Sequence, residues 1–404
     1  MTMLADPMAR THAPTRAAAG TRDPRLDVFR GLAMFIILIA HVPGNVLALW
    51  IPARFGFSDA TEIFVFCSGM ASAIAFGRVF DTQGWLMGTA RVAHRCWQVY
   101  WAHIGLFLTV AMMLALFDRA GFVEKSYVGM LNLVPFFDGA KGQMDGAQAQ
   151  LIGLMTLTYV PNYFDILPMY LVVLAMMPVV MMLSRVNLWL VAGFVAVVWL
   201  GAQAGRLALP AEPWSTREWF FNPFGWQLIF FTGFAFMRGW LPQPPVTRGL
   251  LWLAGAMVLV TVPFAYFRLL DAMPELRVAA REIRFLTVKT DFGLLRYVHF
   301  LALAYLAWAA AGAGGWRLRP AGDGATARTL RQAVAMVEKV GQQSLAVFIF
   351  SMVAARAMGA MLDVTGRAVP VVLAINLLGF AALVGVAGVA GWFKSQPWRQ
   401  KRPA

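Results

Sequence analysis

Residues 30–45 read RGLAMFIILIAHVPGN: an arginine, ten residues almost all apolar, a histidine, then Pro43, Gly44 and Asn45. Eleven residues at 100° each make three turns plus about 20°, so Arg30 and His41 fall on one face of a helix, about 16 Å apart along its axis. That is roughly half of a hydrocarbon core about 30 Å thick. With Arg30 at the headgroup level, His41 is expected near the bilayer midplane, where an ionisable side chain faces a bundle interior or a wet cavity. The competing account is a neutral imidazole bonded to a neighbouring helix, with Arg30 an ordinary anchor. Pro43 and Gly44 favour the functional account, because a broken span frees backbone groups that only protein or water can satisfy.

Composition agrees with a membrane setting. Of 404 residues 60% are hydrophobic and only 13% charged, with a mean hydropathy of +0.64, whereas soluble domains carry about a quarter charged residues. At roughly 20 apolar residues per crossing, ten spans are expected: 31–51, 60–80, 94–117, 164–184, 187–204, 223–241, 249–267, 293–313, 340–361 and 369–393. An even number puts both termini on one side. The segments sharing that side collect most of the basic residues, among them Arg78, Arg91, Arg95, Arg185, Arg238 and Arg248, so both termini are expected in the cytoplasm. Placed on one side of a hydrophobic bundle, the net charge of +14 reflects insertion and anionic lipid, not nucleic-acid binding.

Residues 1–24 are read as a disordered cytoplasmic tail without the cleavage pattern of a signal peptide. Residues 25–393 form the ten-helix domain and 394–404 a basic cytoplasmic tail. Two outer loops, 118–163 and 268–292, are long enough to suggest lids or re-entrant segments, and the apolar stretch LIGLMTLTYVPNYF (151–164) in the first suits the interface. Cys67 and Cys96 make no metal-ligand spacing, and neither a disulfide nor a metal site is expected. No GxSxG, P-loop, HExxH or GxGxxG motif supports hydrolase, nucleotide, zinc or dinucleotide chemistry.

A neutral histidine can take a proton from an alcohol as that alcohol attacks a carbonyl, and an arginine at the cytoplasmic mouth suits a phosphate-bearing donor. The pair fits transfer of an acyl group from a cytoplasmic donor to an outer acceptor. It fits a proton-coupled transporter equally well, and the spacing leaves both open.

The stretch RLDVFRGLAMFIILIAH (25–41) resembles the opening of the membrane acyltransferase-3 superfamily, whose first helix carries an arginine, ten residues and a histidine. FGFSDATEIFVFCSGMASAIAFG (55–77) narrows the resemblance to the OpgC-type family, and LPMYLVVL (167–174), FNPFGWQLIF (221–230), RYVHFLAL (296–303) and GQQSLAVF (341–348) come after it in order. The resemblance implies an all-α, multi-pass protein of the bacterial inner membrane that moves an acyl group, succinyl or acetyl, from acyl-CoA to a hydroxyl of a periplasmic glucan or related envelope polysaccharide, with no bound cofactor. A transporter of a glycan or small anion is the rival class.

Carried over by residue, the resemblance makes His41 the catalytic base and Arg30 its motif partner. Asp27, one turn before Arg30, is the third catalytic candidate; it can pair with Arg30, and favouring the helix start is the competing account. Arg91 and Arg95, four apart on span 3, and Gln342 with Ser344, in the Gly341–Ser344 opening of span 9, are the donor-binding candidates; topology anchoring and helix capping compete with that role. On the acceptor side stand Asp59, Glu62, Ser68, Asp165, Tyr170, Trp226 and His299. Asp59 and Glu62 also read as a capping box, Ser68 as a packing contact, and the aromatics as interface residues. His103 ranks second to His41 as a buried base.

Overall fold

The structure is a computed structural model that describes residues 23–138 and 147–399. Residues 1–22 of the expected tail, His12 among them, residues 139–146 of the first outer loop and residues 400–404 lie outside the described residues. The described chain is helical; its one sheet-like pairing is an isolated bridge between Pro210 and Glu218. Its longer helices are α1 (Pro24–His41), α2 (Ala60–Ser72), α3 (Arg78–Ala120), α4 (Ile166–Val186), α5 (Leu188–Gln203), α6 (Pro223–Arg238), α7 (Arg248–Ala265), α8 (Leu294–Ala311), α9 (Ala325–Gln342), α10 (Ser344–Thr365) and α11 (Val369–Ser395).

Among the described residues six helices are long and apolar enough to cross a membrane: the run Ala60–Ala120 that joins α2 and α3, then α4, α7, α8, α10 and α11. α5 is apolar but has only 16 residues. The 61-residue run is not one rod. It passes through a π-turn at Ala73–Gly77 and breaks at Gly84, where φ 85° and ψ 174° are open to glycine alone. The break separates the two segments expected at 60–80 and 94–117.

The first expected span is corrected. α1 starts at Pro24, capped by the Asp23 side chain, and stops at His41, so the imidazole sits at a helix end and not in the middle of 31–51. The cause is local: Pro43 has no N–H to offer the Ile39 carbonyl, and Gly44 turns the chain with φ 70°. Two short 3-10 turns, Val46–Leu49 and Pro52–Arg54, come next.

The ninth span is corrected as well. Gly341 and Gln342 close α9, an amphipathic helix laid along α1, and α10 begins only at Ser344. The expected helix N-terminus at 341–344 is thus a tight helix-to-helix joint, in which the Gln343 N–H donates to the Val340 carbonyl.

Glycines set how closely the helices approach. A Cβ on Gly341 would lie 1.9 Å from the Asp27 carbonyl oxygen, and one on Gly31 would lie 2.0 Å from that of Val337. α2 and α6 meet in the same way, Gly69 against the Phe230 carbonyl at 1.9 Å and Gly233 against that of Phe66 at 2.3 Å. These are backbone-to-backbone contacts of the small-residue kind used inside membranes, and they account for Gly69 of the Ser68–Gly69 pair. Ser68 is buried beside them. Gly69→Ala must push α2 and α6 apart; overpacking of this kind costs about 1–3 kcal/mol, read as a lower thermal midpoint in detergent.

Candidate active site at the end of α1

A cavity of about 360 Å3 lies where α1 ends, walled by Ile37, Ala40 and His41 of α1, Asp59, Thr61 and Phe64 at the start of α2, Asn162 and Tyr163 of the first outer loop, Phe220, Phe221 and Lys289. His41 enters it in a defined state. Its Nδ1 lies 2.7 Å from the Ile37 carbonyl oxygen; a carbonyl only accepts, so Nδ1 carries the proton. In the neutral ring Nε2 is then the unprotonated nitrogen. Among the described residues Nε2 has no hydrogen-bond partner.

The wall beside the imidazole is strained. Tyr163 holds φ 94°, a conformation that costs a non-glycine residue of order 1–3 kcal/mol and clusters at functional sites. It is held there from three sides. Its ring meets His41 edge-on at 5.5 Å, its hydroxyl donates to the Met352 carbonyl at 2.5 Å, and the Arg356 guanidinium lies 3.9 Å over its face. Arg356 sits within α10, so its stacking on Tyr163 answers why an arginine interrupts that apolar helix.

Across the cavity Asp59 and Lys289 form an ion pair at 2.5 Å. Asp59 caps α2, accepting from the Thr61 N–H at 2.6 Å, while the Asp59 N–H donates to Glu62 at 2.8 Å. Burial opposes ionisation of Asp59, but the Lys289 ammonium and the capping contacts outweigh it and hold its carboxyl well below the usual carboxylate range. Glu62, one turn deeper and 0% exposed, pairs with Arg296 at 2.7 Å.

Lys289 is fixed by its own backbone. The Lys289 carbonyl accepts from Trp226 Nε1 at 2.9 Å, that of Thr290 from the Asn222 N–H at 3.0 Å, that of Asp291 from Gln203 Nε2 at 2.6 Å, and that of Phe292 from Trp199 Nε1 at 3.0 Å. Four successive carbonyls are bound by α5 and the start of α6. The far end of the loop 268–292 is therefore an anchored strap.

At the other end of α1, Arg30 donates to the Ser344 hydroxyl. Asp27 is buried on the same helix, where Gly341 packs on its carbonyl. The motif arginine and the start of α10 thus meet as a second cluster, eleven residues or about 16 Å of helix from His41.

A family model described as OpgC protein matches residues 22–395. The chain belongs to the OpgC family. No curated protein and no solved structure matches it.

In this OpgC chain the sequence-derived site residues divide sharply. His41 and Asp59 line the cavity, and Glu62 braces Asp59 from below. Trp226, expected at the acceptor, is fully buried beneath the strap. Asp165 is buried too, its carboxylate accepting from the Phe220 N–H at 3.0 Å, and burial pushes its carboxyl up to about 7; it supports the cavity wall from behind. His299 is enclosed with its Nδ1 2.7 Å from the Ser58 hydroxyl, and Tyr170 packs its ring on Phe230. Neither lines the cavity. Arg91 and Gln342 are exposed, Arg95 donates to Gln98 on its own helix at 3.1 Å, and none of the three is joined to the Arg30–Ser344 cluster. His103 is buried away from the cavity.

Lys289, Tyr163, Asn162 and Arg356 escaped the sequence reading of the OpgC chain. Arg356 carried a usable signal, a lone charge inside an apolar span. Lys289 and Asn162 carried only their places in long outer loops, and the strain at Tyr163 leaves no trace in residue type.

Proposed function

We propose that this chain is a ten-span O-acyltransferase of the bacterial inner membrane, with both termini in the cytoplasm, that moves a succinyl group from acyl-CoA to a hydroxyl of a periplasmic glucan. The reading rests on one observation above the others: His41, its Nδ1 committed to the Ile37 carbonyl, lines a cavity whose walls combine aromatic rings, an amide and a bound ion pair. Aromatic faces and convergent polar groups suit a sugar. The acyl-CoA origin of the group is inferred from the family and from the Arg30–Ser344 cluster, about 16 Å from His41, on the scale of an extended pantetheine arm.

In the step we propose, Nε2 of His41 takes the proton of the glycan hydroxyl as its oxygen attacks the thioester carbonyl carbon. The C–S bond breaks, and the proton passes from the imidazolium to the departing CoA thiolate, so the base is regenerated. Tyr163 and Arg356 keep the ring in place. In this reading Lys289, paired with Asp59 on the cavity wall, offers its ammonium to the far carboxylate of a succinyl group.

The test is turnover of labelled succinyl-CoA and acetyl-CoA by the purified protein in liposomes with a periplasmic glucan fraction. Label appearing in glycan supports the reading; glycan or anion flux without consumption of either donor overturns it in favour of transport. Lys289→Met sharpens the donor assignment. A hydrogen bond to a charged group is worth about 1.5–3 kcal/mol, so the preference for succinyl-CoA over acetyl-CoA falls by about 10- to 100-fold, measured as the ratio of the two kcat/KM values.

A further inference from the structure

The polar pair at the break after α1 has a task that neither the family nor the cavity assigns. Asn45 and Asn376, the latter within apolar α11, are both buried. They bond reciprocally: Asn45 Nδ2 donates to Asn376 Oδ1 at 3.0 Å, and Asn376 Nδ2 to Asn45 Oδ1 at 3.3 Å. Asn376 Nδ2 also reaches the Val372 carbonyl at 2.7 Å. Asn45 Nδ2 in addition donates to the Ile39 carbonyl at 3.3 Å, the acceptor that Pro43 deprives of its ladder partner.

The last turn of α1 keeps its regular bond at Leu38 and is supplemented by side chains at Ile37 and Ile39. The Ile37 carbonyl takes the His41 ring, that of Leu38 the Val42 N–H at 3.3 Å, and that of Ile39 the Asn45 amide. We propose that Asn45 and Asn376 are positioning residues that keep the end of α1 wound against α11, and so hold His41 in the Nδ1-protonated form with Nε2 turned to the cavity. A wound last turn is what keeps the Ile37 carbonyl within reach of the ring; if the turn opens, Nδ1 loses the acceptor that selects the tautomer. Removing one amide also leaves the other buried without its partner, so the pair acts as a unit.

The activity consequence rests on His41 being the base, but the structural one does not, and the two are measured separately. Protein carrying [15N]histidine is reconstituted in lipid, the His41 resonance is assigned by its loss in His41→Gln, and the tautomer is read from the ring nitrogen shifts. Asn45→Leu and Asn376→Leu are expected to turn a single Nδ1-H form into a mixture and to lower kcat about tenfold or more, with the donor KM within twofold. The double variant Asn45→Leu/Asn376→Leu, which restores apolar contact but no donor for Ile39, is expected to stay impaired. A pure Nδ1-H form in both single variants overturns the proposal. So does recovery of tautomer and turnover in the double variant, which makes the pair a packing contact. Should Asn45→Leu fail to fold, Asn376→Leu carries the same comparison. Unimpaired turnover in His41→Gln sinks the catalytic reading while leaving the tautomer result to decide the clamp.

Discussion

His41→Ala is expected to lower kcat for acyl transfer by roughly 10²- to 10⁴-fold, the span that a single general base contributes, while thermal stability stays close to that of the parent. Half-buried at a cavity wall, His41 makes one hydrogen bond, to its own helix, so its loss leaves no buried group newly unsatisfied. Donor KM should change little if His41 acts on the acceptor hydroxyl only as the bond forms. His41→Gln keeps bulk and a hydrogen-bonding amide but no basic nitrogen, and it should be as inactive as the alanine variant. Equal activity of the parent and both variants at matched expression would remove the imidazole from the chemistry.

Arg296→Met should be the most destabilising single change near the site, by about 3–5 kcal/mol. Glu62 is wholly enclosed and meets the Arg296 guanidinium at 2.7 Å, and its other oxygen is committed to the cap of α2. Taking away the cation strands a carboxylate where no water reaches it. Arg296 also donates to the Thr287 carbonyl, so the loss extends to the segment leading into the strap. Thermal unfolding in detergent measures the deficit. The double variant Glu62→Leu/Arg296→Met supplies the control: removing both charges should recover part of the stability, although α2 then lacks half of its capping box. A double variant less stable than Arg296→Met alone would show that the cap matters more than the stranded charge.

Where residue pattern and structure agree, the cause is local. Apolar length locates the helices, Pro43–Gly44 announces the break, and Asp59-x-x-Glu62 announces the cap of α2, because each signal lies within a few residues of its effect. Two local signals mislead. His41 looks central because apolar residues continue past Pro43 to Ile51, yet the missing N–H of Pro43 and the turn at Gly44 together end this helix. Gly341–Ser344 looks like a helix start because the apolar run begins there, yet α9 extends the helical chain on its N-terminal side.

The site is legible only in its acidic and histidine members. Asp59 announces itself by type and position, but its partner Lys289 lies 230 residues away, and no spacing rule joins them. Trp226 and Asp165 are expected to touch a ligand because aromatic and acidic groups near an interface suit sugars. Burial gives them to the backbone instead, Trp226 to a carbonyl of the strap and Asp165 to an amide of the opposite wall. Residue type shows which groups can bind; only packing shows which are already taken.

The strap from Lys289 to Phe292 carries one more consequence. Its four carbonyls are bound when the chain folds, so the torsional freedom of that segment is lost before any ligand arrives. A mobile lysine would give up both backbone and side-chain motion on meeting an anion; this one already has its backbone held by those four bonds and its ammonium by Asp59, so little motion is left to still. Recognition at this wall should therefore show a small entropic penalty and little change in backbone hydrogen exchange between free and occupied protein.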